Sequence, residues 1–596
     1  MNNKEVTMKT LSQFCLLVLF AFLTGCAENK EQKTTEQSPQ PKADLVLTNG
    51  KIYTVDDAKP WAQAIAIKDD EIVYVGDNEG VKAWITSDTK QQDLAGNMLL
   101  PGFIDSHAHP VMGGAYVRSL SLDTFATPEH WYKQIAEYAA QRPADKILFG
   151  YGFSASAFGS EGPTSAMLDK IVPDRPVYLM DEGFHGAWGN TKALEFLKID
   201  KNTPDLKPGF SYYKRDEQGN PTGYFLEEAA TAAIDQLGII NVESVALGTS
   251  DVIKIMNSYG ITSVFDAGAL EVGEMQVDIL DRIVEQNDMT IRMKASHMIS
   301  SAADYDTAIE QTLHKRAISK REMYHINMLK IMNDGTIEGK TASMFEDYQG
   351  EPNNKGENVF TQEQMISLIS RASAENIDVH IHALGERAIT ETLNAIELVR
   401  KDTRSAISTS RYTICHIQVL TDTDIPRFAE LDVIAQSTPL WASYDEFGKP
   451  FVSDDQFSRY FRFNSIKETG AKMSFGSDFP ASSAGTLGMS PIFNMEVGHT
   501  RQTVETENAP IQPGEHERLD ITTLIKGYTI NGAYQLHMED SIGSITVGKK
   551  ADLVLLDKDL FEVEKYNIHN VKVLQTILGG KTVYQAVDEI AAVTRL

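Results

Sequence analysis

At 596 residues, 42% hydrophobic and 23% charged, the chain is long enough to bury a large core and a smaller second unit. Its formal net charge of -28 argues against nucleic acid as a partner, because a polyanion would be repelled, and describes a soluble surface of solvated acidic faces.

The amino terminus points to export. Lys9 precedes an apolar run from Leu11 to Leu23, short for a bilayer span and laid out like a secretory signal peptide, with Met8 an alternative start. Leu23, Thr24, Gly25 and Cys26 have the form of a bacterial lipoprotein cleavage box. Residues 1–25 are therefore expected to be a lipoprotein signal peptide, Cys26 the lipidated first residue, and 26–43 a disordered tether lacking aliphatic and aromatic bulk. Cleavage would remove Cys15, and with Cys26 acylated, Cys415 has no partner for an internal disulfide. The predicted localisation is an exported bacterial lipoprotein, held at a membrane by this anchor only and facing the periplasm or the cell exterior.

Residues 44–56 alternate apolar and polar side chains around Asn49-Gly50, which predicts a hairpin, and Ala64 to Val75 predicts a second one turning at Asp69 and Asp70. Gly543 to Leu556 and Val571 to Tyr584, with Gly579-Gly580 at a turn, are again strand-like. Residues 44–100 and 540–590 together predict one small β domain assembled from both termini. Between them, apolar runs alternate with helical patterns, the signature of βα units. Strands are placed at 102–106, 263–266, 291–295, 327–332, 378–382, 413–416, 433–436 and 472–475. Eight is the number that closes a (β/α)8 barrel, here expected over 101–539, and the interval from about 120 to 250 is expected to be an inserted subdomain overhanging its mouth.

The active sites of such barrels lie at the C-terminal ends of the strands. Strand one ends in His107 and His109, whose i, i+2 spacing turns both rings to one side, where they could grip one metal ion. Strand four carries Lys330, strands five and six end in His382 and His416, and strand eight runs into Gly476-Ser477-Asp478. Each has an ordinary structural alternative: an ion-pair partner for Lys330, a core histidine for His416, a helix N-cap for Asp478. Their joint placement at strand ends favours a site.

The passages PGFIDSHAHP, PTSAMLDKIVPDRPVYL, GFHGAWGNTKAL, GNPTGYFLEEA, YGITSVFDAG, LKIMNDGTIEGKTA, HALGERA, GSDFP and GSITVGKKADLVLLDKD occur in that order. On these passages the chain resembles the amidohydrolase superfamily, and within it the amidohydrolase family 3 group of YtcJ-like proteins that includes N-substituted formamide deformylase. The resemblance implies that His107, His109, His382, His416 and Asp478 are metal ligands or hold the metal-bound water. Lys330 falls where many superfamily members carry a lysine carboxylated by CO2, and contributes a ligand only if so modified. One or two divalent ions are implied, with zinc the default and iron or manganese fitting the same donors. The same pattern selects His382 over His380, which is left as a packing residue. Glu386, Cys415 and Trp441 depart from the family pattern, in which Asp, an acidic residue and His are usual.

The function expected is hydrolysis of a non-peptide C-N bond, the amide of a small N-acyl or N-formyl compound, with Asp478 as the proton acceptor and donor. His185 in GFHGAWGN is a candidate substrate contact, with a structural loop histidine as its alternative. Deamination, cyclic-amide opening or isomerisation on the same metal site are alternative chemistries, and a non-catalytic binding lipoprotein is a different class. The partner expected is a small molecule; a homodimer is left open.

Overall fold

The computed structural model describes residues 42–122, 126–181, 186–206, 211–402, 408–481 and 484–586. The expected signal peptide, Cys26, residues 26–41 of the expected tether and His185 lie outside the described residues. Of the last two residues placed in that tether, Lys42 and Ala43, Ala43 is buried and donates its N–H to Trp84 O at 3.0 Å, so the ordered fold begins slightly earlier than expected. None of the described helices is long and apolar enough to cross a membrane.

Eight strands form the central sheet: β1 (Phe103–Ala108), β2 (Ile261–Asp266), β3 (Arg292–Ile299), β4 (Tyr324–Met332), β5 (Asp378–Ala383), β6 (Tyr412–His416), β7 (Val433–Ser437) and β8 (Met473–Phe475). Every neighbouring pair is parallel. All residues of β1, β2, β5, β6, β7 and β8 are buried, as expected of strands covered by helices on one side and closed on a barrel interior on the other.

β1 and β8 meet without a regular ladder. Just beyond β8, Asp478 N donates to His107 O at 2.7 Å and His109 N donates to Phe479 O at 2.7 Å. Below them the Asp105 carboxylate accepts from Ser477 N at 3.0 Å, Ser477 Oγ at 2.6 Å and His107 N at 3.2 Å. A Cβ on Gly476 would lie 2.4 Å from His107 N, so only glycine lets the two strands approach this closely. This seam closes the barrel, and it also delivers three of the candidate site residues.

The two termini build two further sheets. One has four strands in the order 71–76, 64–68, 45–48, 90–93; the other has six, in the order 581–585, 573–578, 553–556, 98–101, 51–53, 61–62. Leu553–Leu556 pairs antiparallel with Met98–Pro101, so strands from opposite ends of the chain are neighbours. The hairpins at Asp69-Asp70 and Gly579-Gly580 form. The one predicted at Asn49-Gly50 does not: Leu45–Thr48 joins the first sheet and Lys51–Tyr53 the second. Asn49 still turns at φ 55°, but the chain changes sheets there, and a Cβ on Gly50 would press on the Leu94 side chain, 2.6 Å from Cδ1.

At the base of the barrel, Arg292 at the start of β3 clasps Asp552 of the terminal sheet, Nε to Oδ2 at 2.7 Å and a second guanidinium nitrogen to Oδ1 at 3.1 Å. Between β1 and β2, strands from Leu120–Ser121 to Pro221–Leu226 form a separate six-stranded sheet.

Candidate metal centre

The seam brings three donors to one point. Asp478 Oδ1 lies 3.3 Å from His107 Nε2 and 3.2 Å from His109 Nε2. His109 Nδ1 contacts the Gly268 carbonyl at 2.7 Å, which fixes the ring and turns Nε2 to the chamber. Asp478 has φ 53° and His416 φ 76°, left-handed values that cost a non-glycine residue about 1–3 kcal/mol and mark positions held by their surroundings. At His416 this twist ends β6.

His382 and His416 line the same chamber, with ring centroids 4.4 Å apart, and His416 is 4.8 Å from His107 by the same measure. His382 Nε2 lies 3.4 Å from the Gly335 carbonyl and 3.6 Å from Asp334 Oδ1. The donor atoms of His107, His109 and Asp478 all lie within 4.8 Å of one another, and His382 and His416 stand beside them. Lys330 turns its Nζ to Cys415 Sγ at 2.9 Å. Trp441 stacks on His416, centroids 5.4 Å apart at 24°, and Glu386 pairs with Arg459 at 2.6 Å. The three departures from the family pattern therefore surround the site without occupying its closest donor positions.

Burial, reinforced by the charge of Lys330, pushes His107 and His382 down to about 3. Burial likewise holds His416 and His380 well below the ordinary histidine range. These rings are neutral, the form in which imidazole offers a lone pair. Burial alone would lower His109 too, but the hydrogen bond and charge of Asp478 carry it above its ordinary value. His107 touches the same carboxylate yet moves the other way, because Lys330 also acts on it. Burial opposes the charge on Asp478, but the histidines around it hold its carboxyl well below the usual carboxylate range.

A divalent ion fits this donor set. His107 Nε2 and His416 Nδ1 are buried without a hydrogen-bond partner, a costly arrangement for a polar atom unless something else satisfies it. Neutral imidazoles with one ionised carboxylate are the donors that zinc, iron and manganese take.

Three contributors were not singled out from sequence. His380, expected only to pack, places Nε2 2.9 Å from His107 Nδ1. Asp105 anchors the seam. Asp334 accepts from the backbone of Ser343 at 3.0 Å, Leu384 at 3.1 Å and Gly385 at 2.9 Å, so it fixes the turn that follows His382. Its signal was the Asp-Gly pair after β4. A cavity of about 790 Å³ is lined by Met332, Asp334, Gly335, Glu338 and Lys340 among others, so it shares with His382 the Asp334-Gly335 turn that the ring contacts.

A (β/α)8 barrel with buried neutral histidines and an ionised aspartate at the ends of its strands defines the class of metal-dependent hydrolases. The model of the amidohydrolase family matches residues 90–584, and the chain belongs to that family. It is 32% identical to the exoenzymes regulatory protein AepA of Pectobacterium carotovorum subsp. carotovorum, over 67% of this chain and 86% of that protein. It is 26% identical to the N-substituted formamide deformylase of Arthrobacter pascens, over 91% of this chain and 98% of that one. Among solved structures, a metal-dependent hydrolase of unknown role from Pyrococcus horikoshii OT3 superposes with TM-score 0.69 at 23% identity, over 87% of this chain and 99% of that chain.

Proposed function

We propose that this protein hydrolyses the amide bond of a small N-acyl or N-formyl compound. The observation that carries the reading is the convergence of His107, His109 and ionised Asp478 at the barrel mouth, with Asp478 Oδ1 3.3 and 3.2 Å from the two histidine Nε2 atoms. The resemblance to a formamide deformylase over nearly its whole length supports the bond class.

His107, His109 and Asp478 would hold the first ion, with His382 and His416 completing the donors around it. A divalent ion, by default zinc, supplies Lewis acidity there, lowering the pKa of water and polarising the substrate carbonyl. Asp478, held ionised by the surrounding histidines, would be the group that takes a proton from the attacking water and returns it to the leaving nitrogen. The cavity at the Asp334-Gly335 turn, which contacts His382, seats the substrate, and Trp441 stacks on the His416 donor. His185 is assigned a substrate contact. Carboxylation of Lys330 would add a bridging carboxylate and a second ion. Export and anchoring through Cys26 belong to the same proposal; Cys26→Ala would move the protein out of the membrane fraction and leave kcat unchanged.

The test is metal analysis of the purified protein together with a turnover screen on N-formyl amines, acyl amides, lactams and amino-heterocycles. Metal-dependent release of an amine from the first two groups supports the reading. Turnover confined to lactams or amino-heterocycles would replace it with a cyclic amidase or a deaminase, and bound metal without turnover on any of them with a binding protein.

A further inference from the structure

His107 is engaged on both sides of its ring. Nε2 faces Asp478 and His109, whereas Nδ1 faces His380 Nε2 at 2.9 Å. Behind that contact lies the Cys415 sulfur, and His107, His380 and Cys415 each offer a donor atom within 4.8 Å of the others. All three residues are buried, and His380 Nδ1 has no hydrogen-bond partner. Register explains the meeting: on parallel strands, residues opposite one another point the same way, and Lys330 pairs with His380 while His382 pairs with Cys415.

We propose that His107, His380 and Cys415 form a second metal position, bridged to the first through the His107 ring and selective for a thiophilic dication such as zinc. The inference rests on the hydrolase reading, since His107 belongs to both positions. Donor-to-donor edges around tetrahedral zinc are about 3.3–3.6 Å, from metal-nitrogen and metal-sulfur bonds of about 2.0–2.3 Å. Here the donors need to move about 1 Å to reach them, within the range of side-chain rotation. A thiolate with imidazoles prefers zinc over magnesium or manganese, which take oxygen donors.

The charge balance of the step suits a buried site. One dication enters and two protons leave: the thiol proton of Cys415 and the proton shared between His107 Nδ1 and His380 Nε2. The thiolate sulfur bonds the ion, the His107 ring becomes the bridging anion, and the net charge is unchanged, so no charge is added to the interior. Lys330, whose Nζ donates to the same sulfur, is the group that must give way.

The test uses the full-length mature protein, stripped with chelator and titrated with Co2+. The first equivalent is expected to bind without sulfur ligation, and the second to bring the near-ultraviolet sulfur-to-cobalt charge-transfer band. Cys415→Ser and His380→Gln should lose that band and the second equivalent while keeping the first, whose retention reports a folded protein. Lys330→Met, of similar volume, should tighten the second equivalent about tenfold by removing the competing contact. A single equivalent without the band overturns the proposal and leaves the hydrolase reading standing, whereas no bound cobalt at all overturns both. Two equivalents without the band, with a carboxyl adduct on Lys330 by intact mass, would assign the second position to the lysine.

Discussion

The barrel mouth has two unlike halves. Along the β8–β1 seam, backbone hydrogen bonds hold the donors: Asp478 N to His107 O and His109 N to Phe479 O, both 2.7 Å, with Asp105 fastening the strands below. Across the mouth, on β4, β5 and β6, Lys330, His380, His382 and Cys415 are placed by the register of the parallel ladder, and their functional groups meet through side chains: Lys330 Nζ with Cys415 Sγ, and His380 Nε2 with His107 Nδ1 across the barrel. The seam supplies a hard carboxylate in a preorganised frame; the opposite arc supplies imidazole, sulfur and an amine that can rearrange. Substitutions there change which donors are offered, whereas substitutions at the seam change whether the site exists.

His107→Ala would break both halves at once, since its ring faces Asp478 on one side and His380 on the other. Metal content should fall by at least one ion per chain and activity should be lost, with the barrel still folded because its core is built from many other residues. Circular dichroism and metal analysis on one sample check this, and turnover by chelator-treated wild type would sink the whole account. Asp478→Asn is the finer cut. It keeps the volume and an oxygen donor but removes the proton acceptor, so kcat should fall about 10²- to 10⁴-fold with metal largely retained. Near-normal turnover would move the base to His185 or Lys330.

Much of this comparison was legible in the sequence, and unevenly so. Parallel strands buried on both faces read as short apolar runs, so β1 to β8 fall where those runs end, and the polar residues just beyond them mark the mouth. What could not be read acts between segments distant in the chain. Asp105 and Ser477 are 372 positions apart, and only barrel closure brings them together. His380 and His382 share a strand face by spacing, yet which of them meets His107 depends on strand tilt and register. Asn49-Gly50 carried a correct turn signal, but a turn does not specify which sheet each arm will join.

Asp105 sharpens the seam side. Burial pushes its carboxyl up to about 7 from 3.8, only partly offset by the Ser477 hydrogen bonds, so the folded state favours the protonated acid. In the metal-free protein its contribution is therefore present below about pH 4 and lost as pH rises towards 7. Asp105→Asn imitates the protonated acid, with Ser477 Oγ turning to accept, and should be stabilised relative to wild type at pH 8 by a few kcal/mol at most, on the order of the linkage. Asp105→Ala strands the Ser477 and His107 amides and should cost about 2–4 kcal/mol and 10- to 100-fold in metal affinity. Urea denaturation at two pH values separates the variants, and identical pH slopes for wild type and Asp105→Asn would refute the assignment.

The smallest effect on the site is expected from the base of the barrel. The Arg292 side chain is 14% exposed and Asp552 3%, and the two share two hydrogen bonds, so this pair is among the buried ones for which losing one partner is costly. Arg292→Ala leaves the Asp552 carboxylate with Gly579 N, at 2.7 Å, and without a countercharge in the clasp, which should cost about 3 kcal/mol of stability. The C-terminal ends of β3 and β4 lie at the opposite end of the barrel, and the seam has its own backbone bonds. Metal content and kcat should therefore match the wild type at temperatures where both proteins are folded. A thermal melt beside a metal-loaded activity assay decides the point. If Arg292→Ala lost metal in proportion to stability, the seam would not be held by Asp105 and its backbone latch alone, and the terminal sheets would have to be counted among the elements that position the site.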